Sequence, residues 1–301
     1  MITGMYRRQA GRALLVATAT SALVLGIGVF AILAGWQALR QMATTIAHLC
    51  LRIWAAVPGI FPILLGISVV IGLISAGLWL LSAGKQWRIT AAAVRSLRRK
   101  AVAPPPRVFT LFARHALTQR VIVFRDDRAL ALTVGLITPR IMVSTGLIET
   151  LEEEELEAVL LHEQSHLRHR DPLYLLLARA LATAFLYVPV VKALAQRHQA
   201  AIELAADEYV IARQGGSLSL SSAMLKLLRL RPSMAVATPF TGVADLRLSY
   251  LLERNVHLPR VSRQSALRSA AAVLVIMIPV AAIYGLAEAL NRIAFLSRCI
   301  V

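Results

Sequence analysis

The alternation of apolar and polar positions changes character several times along this chain, and each change marks a part. Ala13 to Leu39 is free of charge, longer than the roughly 20 residues that cross a bilayer as a helix, and predicts a first span over about 13–36. Arg7, Arg8 and Arg12 precede it and no A-x-A site closes it, so an anchor is expected rather than a cleaved signal. Ile53 to Gly84 is a second uncharged run; Pro58 and Pro62 place the helix start near Phe61 and predict a span over 61–82. Ser269 to Ala287 predicts a third, over 269–287, kinked at Pro279. Between the second and third runs the pattern differs. Pro104-Pro105-Pro106 stops a helix, and short apolar stretches follow at Val121–Phe124, Leu130–Val134 and Ile141–Val143, divided by polar turns, as in a small sheet.

A helical pattern then runs from Glu152 to about Arg168, opened by a capping box of Thr150 and Glu153 and closed by Asp171-Pro172. Glu152 to Glu155 set negative charge against the positive end of the helix dipole, so this acidic run reads as a helix start. Leu173 to Val191 is apolar except for Arg179, but the uncharged part covers only about 12 residues, too few for a single crossing. A membrane-associated hairpin or a buried helix is expected there. A polar helix from about Gln196 to Arg213 ends at Gly215-Gly216, and Ser217 to Arg231 is amphipathic. These parts predict an α+β domain over 101–252, between a transmembrane hairpin with a basic flank over 1–100 and a C-terminal transmembrane segment over 253–301.

Composition supports the membrane reading. Apolar residues make up 57% of the chain and mean hydropathy is +0.66, above the range of soluble domains. The net charge of +17 is concentrated beside the apolar runs. Only Arg40 and Arg52 lie between the first two spans, whereas Lys85, Arg88, Arg95, Arg98, Arg99 and Lys100 follow the second. The positive-inside rule therefore puts both ends of the hairpin, and the domain after it, on the cytoplasmic face of a cell membrane. Arg254, Arg260, Arg263 and Arg268 hold the start of the third span on the same side. No nucleic-acid recognition motif accompanies the charge, so membrane lipids and not nucleic acid are the expected partners. Cys50 and Cys299 show no C-x-x-C spacing, which excludes a thiolate zinc site; the topology puts both outside, where a bridge is permitted, though two free thiols are expected.

The candidate chemistry lies in His162-Glu163-Gln164-Ser165-His166. Two histidines four apart on a helix share a face and can share a metal ion, with Glu163 beside it as general base. A catalytic zinc takes three protein ligands and keeps one position open. Glu203 is the candidate third ligand, and Asp207, one turn on, can accept a hydrogen bond from a ligating histidine. Taken alone, Glu203, Asp207 and Glu208 also fit a solvated helix face. Parity adds a constraint: one crossing between His166 and Glu203 would put the ligands on opposite sides of the membrane. His169 and His198 rank lower as ligands, and His48, His115 and His257 lack ligand spacing.

The block Gly135–Ser144, the run Glu154–Glu163, His166 with Arg170-Asp171, and Glu203 to Asp207 resemble the membrane-integral gluzincin metallopeptidases. They are similar to the beta-lactam-sensor antirepressor family and, more distantly, to the HtpX and CAAX-prenyl-protease group. The resemblance covers about Ala129 to Arg213. It implies a zincin-like fold, one zinc ion on His162, His166 and Glu203, Glu163 as catalytic acid/base and Asp207 behind a ligand. It also implies that the strand Ala129–Val134 takes substrate as an added strand, and that a cationic or phenolic group meets the developing oxyanion. Arg247 is the candidate for that group and Tyr250 its alternative; both also fit an ordinary amphipathic helix. The interval between His166 and Glu203 is too short for two ordinary spans and looks more like the sensor branch. The chain ends at Val301, with no penicillin-binding domain after the last span, so antibiotic sensing is not expected.

The expected function is membrane-bound zinc endopeptidase acting on proteins or peptides at the cytoplasmic face. Two other readings share these residues: a signalling protease that cleaves a transcription repressor, with or without a separate sensor, and a non-catalytic adaptor with a structural metal.

Overall fold

The computed structural model describes residues 3–46, 60–230, 242–253 and 256–275. Helices α1 (Thr3–Ile46) and α2 (Ile60–Arg99) are followed by β1 (Ala101–Val102), α3 (Pro106–Arg114), β2 (Val121–Phe124), β3 (Ala131–Val134) and β4 (Arg140–Ser144). Then come α4 (Thr145–Thr150), α5 (Glu153–His169), α6 (Asp171–Ala184), α7 (Pro189–Gln214), α8 (Leu218–Arg229) and α9 (Gly242–Glu253), with a last helical stretch over 263–275. The architecture is helix-dominated with one small mixed sheet.

The sheet has the order β1-β2-β4-β3. β2 runs parallel to β4, in register from Val121 opposite Ile141 to Phe124 opposite Ser144, and β3 runs antiparallel to β4. β3 therefore lies at the edge; among the described residues its outer side pairs with no strand. The β3–β4 connection turns at Gly135, whose φ of +100° suits glycine, and a Cβ there would stand 2.8 Å from the Thr138 carbonyl oxygen. Ile141, Met142 and Val143 of β4 are fully buried. Ile141 and Val143 pack with Leu147, Leu156 and Leu160 of α4 and α5, while Met142 on the other face joins Phe124 and Val134.

Several boundaries differ from those expected. β1 and α3 follow α2 directly: Pro105 and Pro106 occupy the N-cap and first position of α3, where a missing N–H costs nothing. The cap of α5 lies two residues further on than Thr150 and Glu153, with the Glu152 N–H donating to the Glu155 carboxylate at 3.0 Å. The Thr150 hydroxyl instead donates to the Gly146 carbonyl. α5 ends at Arg170 in the left-handed conformation, φ 54°, so the chain reverses and Asp171 starts α6 instead of merely ending α5. The 173–191 segment is a helix–turn–helix, α6 into α7, and α7 reaches back to Pro189.

The chain divides into two compact units. One comprises Met1–Leu15, Ser82–Ala180 and Leu194–Arg260; the other comprises Val16–Leu81, Leu181–Ala193 and Val261–Val301. In the second, Val24, Phe185, Val188 and Val191 form a small core with Trp79 and Val273, and the Ser269 hydroxyl accepts the Val190 N–H at 2.9 Å. Leu15, Leu23, Phe30 and Leu33 of α1 and Leu73, Leu80 and Leu81 of α2 remain exposed. Among the described residues one stretch, Met5–Phe30 with mean hydropathy 2.2, is long and apolar enough to cross a membrane. The expected span 61–82 falls within α2, and that at 269–287 runs beyond the described residues, as do Cys50, Cys299 and His48.

Candidate active site

α5 carries His162 and His166 one turn apart, with their rings edge to face at 4.7 Å between centroids. α7 brings Glu203 to the same point. The two Nε2 atoms stand 3.1 Å apart, and the Glu203 carboxylate lies 3.4 Å from Nε2 of His162 and 3.9 Å from Nε2 of His166. Donors about 2.1 Å from a tetrahedral zinc lie about 3.4 Å from one another, so the three are spaced to share one ion.

Their protonation points the same way. Nδ1 of His162 donates to Asp207 at 2.9 Å, and Nδ1 of His166 donates to Asp171 at 2.8 Å. When neutral, each ring presents a lone pair at Nε2, and two such lone pairs beside a carboxylate call for a positive charge between them, a proton or a metal ion. Burial and the Arg247 charge push the His162 pKa down, but hydrogen bonds to Asp207 and Glu203 overcome both and raise it to about 9. Burial raises the Glu203 carboxyl, and the His162 hydrogen bond with the Arg247 and histidine charges outweighs it, holding Glu203 far below the usual range. Asp171, Asp207, Glu163 and Glu203 with Arg7 and Arg247 sum to −2 when the imidazoles are neutral, the complement of a divalent cation.

This arrangement has relatives. Residues 121–249 match the protein family described as BlaR1 peptidase M56. The matched segment is thus similar to the BlaR1 peptidases. The chain is also 38% identical over 96 residues to a "Protease HtpX homolog" from Acidiphilium cryptum (strain JF-5). That similarity covers 31% of this chain and 29% of the relative, so the chain spans under a third of that protein's length.

Within the matched segment, Glu163 is half-buried beside the three donors, and the Thr133 hydroxyl of β3 lies 2.7 Å from its Oε2 and 3.0 Å from its carbonyl oxygen. Arg247 grips Asp207 with two bonds, Nε at 2.9 Å and an Nη at 2.7 Å, and its other Nη lies 3.2 Å from Glu203. Tyr250 is fully buried and its hydroxyl donates to Glu208. His169 bonds the Ser165 carbonyl, His198 the Ala10 carbonyl and His115 the Glu157 carboxylate; none joins the cluster. His257 is likewise absent from it.

Two clefts flank the cluster and share Ala131, His162, Glu163 and Arg247 in their walls. One, about 370 Å³, is bounded by Leu132, Thr133, Val134 and Glu203; the other, about 250 Å³, by the apolar Val159, Leu220, Met224 and Leu227. β3 thus runs alongside the candidate centre. Sequence reasoning missed Thr133 and Arg7, and it used Asp171 only as a helix end and as part of the family pattern. Arg7 reaches Asp171 at 2.5 Å and the Ser165 hydroxyl at 3.1 Å.

Proposed function

We propose that this protein is a zinc-dependent endopeptidase anchored in the membrane, with its active site on the cytoplasmic face. The observation that carries the reading is the convergence of His162 Nε2, His166 Nε2 and Glu203 at zinc spacing, with Glu163 adjoining. His162, His166 and Glu203 would hold the ion, and Asp207 and Asp171 fix the ring tautomers. When bound, zinc supplies a Lewis acid that polarises the scissile carbonyl and acidifies the attacking water. Glu163 takes the proton of that water and delivers it to the leaving amine, and Thr133 keeps the carboxylate aimed. Arg247, in the wall of both clefts, offers positive charge to the developing oxyanion while it anchors Asp207. Substrate adds as an extended strand to the outer edge of β3, where main-chain hydrogen bonds are sequence-tolerant.

The exposed apolar side chains of α1 and α2 support burial in lipid, and the distribution of basic residues supports a multi-pass topology with the metal centre inside. Regulated cleavage of one protein, such as a repressor, is the second reading, favoured by the match to a BlaR1 peptidase. Comparing N-terminal peptides produced in cells by wild type and by Glu163→Ala tests both. Peptides that vanish in the variant support the enzyme, and a single cut site supports the regulatory reading. An unchanged peptide set, with zinc stoichiometric in the variant, overturns catalysis by this site.

A further inference from the structure

Each ligating histidine is held by a carboxylate, and each carboxylate by an arginine. His162 leads to Asp207 and then Arg247; His166 leads to Asp171 and then Arg7. The first arm lies wholly inside the matched segment 121–249, whereas the arginine of the second comes from α1, 164 positions before Asp171. We propose that Arg7 is a positioning residue of the metal centre and that the first turns of α1 are a working part of the peptidase domain. The proposal rests on the zinc reading above and adds to it a residue outside the segment that carries the resemblance.

Packing and hydrogen bonding both support it. Asp171 is 2% exposed, and its two oxygens are divided, one accepting from His166 and the other from Arg7. A buried carboxylate held at only one oxygen can rotate, and the imidazole bonded to it rotates with it, turning Nε2 off the shared point. Arg7 closes that freedom, and its second Nη ties the same turn of α5 through Ser165. The backbone around Arg7 is fixed independently. Tyr6 and Ala10 are buried with Ala158, Leu161 and Ile202; the Tyr6 ring meets Tyr250 edge-on at 5.5 Å; and His198 donates to the Ala10 carbonyl at 2.8 Å. Arg7 therefore belongs to a packed helix and not to a solvated tail.

The test measures zinc affinity of the purified full-length chain by chelator competition, for wild type, Arg7→Gln, Arg7→Lys, Asp171→Asn and the Arg7→Gln/Asp171→Asn double variant. Expected are a loss of about 10-fold or more in Arg7→Gln, partial recovery in Arg7→Lys, and a double variant no weaker than Asp171→Asn alone. Arg12→Gln, on an exposed position of α1, should match wild type. Wild-type affinity in Arg7→Gln, or losses that simply add in the double variant, would overturn the proposal while leaving the zinc reading intact. If Arg7→Gln does not fold, wild-type affinity in a folded Arg7→Met, which removes both charge and donors, overturns it equally. A wild-type chain that holds no zinc overturns the functional reading and this inference with it.

Discussion

Thr133 on the edge strand and Glu163 on α5 meet through one hydroxyl, 2.7 Å from the carboxylate. The strand that lines the proposed substrate cleft is thereby the strand that aims the proposed base. Thr133→Val keeps the shape and removes the bond, and kcat should fall about 10- to 100-fold, from a charge-assisted bond of about 1.5–3 kcal/mol. Thr133→Ser should retain most activity. Steady-state kinetics on a fluorogenic peptide, with zinc content measured in parallel, checks both; equal kcat in Thr133→Val removes Thr133 from the machinery.

Glu163 and the three donors should separate cleanly. Glu163→Gln is expected to lower kcat by about 100-fold or more while zinc stays stoichiometric. His166→Ala or Glu203→Ala should lose zinc in elemental analysis, and a chelator should silence wild type until zinc is restored.

The proposed function gives Arg247 two tasks that one substitution pair can divide. Asp207 has no side-chain exposure and pairs with Arg247 and His162. Arg247→Ala leaves that carboxylate short of a cation and should destabilise the fold by about 3–5 kcal/mol, read as a lowered Tm. Arg247→Lys keeps the charge without the two-bond grip; the expected result is a folded protein with kcat down about 10-fold or more and KM little changed. A fall in Tm with kcat unchanged would confine Arg247 to the structural task.

The α5–α8 contact predicts a pH dependence away from the candidate metal site. Burial raises the Glu155 carboxyl, but bonds from Lys226 at 2.7 Å, from Ser222 and from the Glu152 N–H outweigh it, so its pKa lies below the ordinary value. Its contribution to stability is complete above about pH 4.3 and is lost as pH falls through the lowered folded value. Lys226→Met should lower Tm near pH 7, and the difference from wild type should shrink toward zero in acid. A difference that grows on acidification contradicts the assignment.

Elements marked by local periodicity were legible in the sequence. β2, β3 and β4 show it as short apolar runs, and α5 shows it through His162 and His166 at four-residue spacing. Two-residue β1 has no period to detect, and the prolines read as a stop also start α3. Arg7 could not be assigned because an arginine ahead of an apolar run reads alike whether it faces lipid headgroups or a carboxylate. Asp171 was hidden by the left-handed Arg170, which turns the chain and carries an apparent helix terminator back to His166. Thr133 is an ordinary strand residue by itself, and its partner lies 30 positions away.

If the protein is the proposed peptidase, the position of β3 has a consequence for what it can cut. A four-residue edge offers main-chain partners over roughly 13 Å, and only a polypeptide already stretched out over that length can use them. A helix, or a strand paired on both sides within its own sheet, has no free groups to offer. On the proposed reading, selection would act on conformation before side chains matter: unravelled ends, loops and damaged segments qualify, and the same residues are safe while they remain folded.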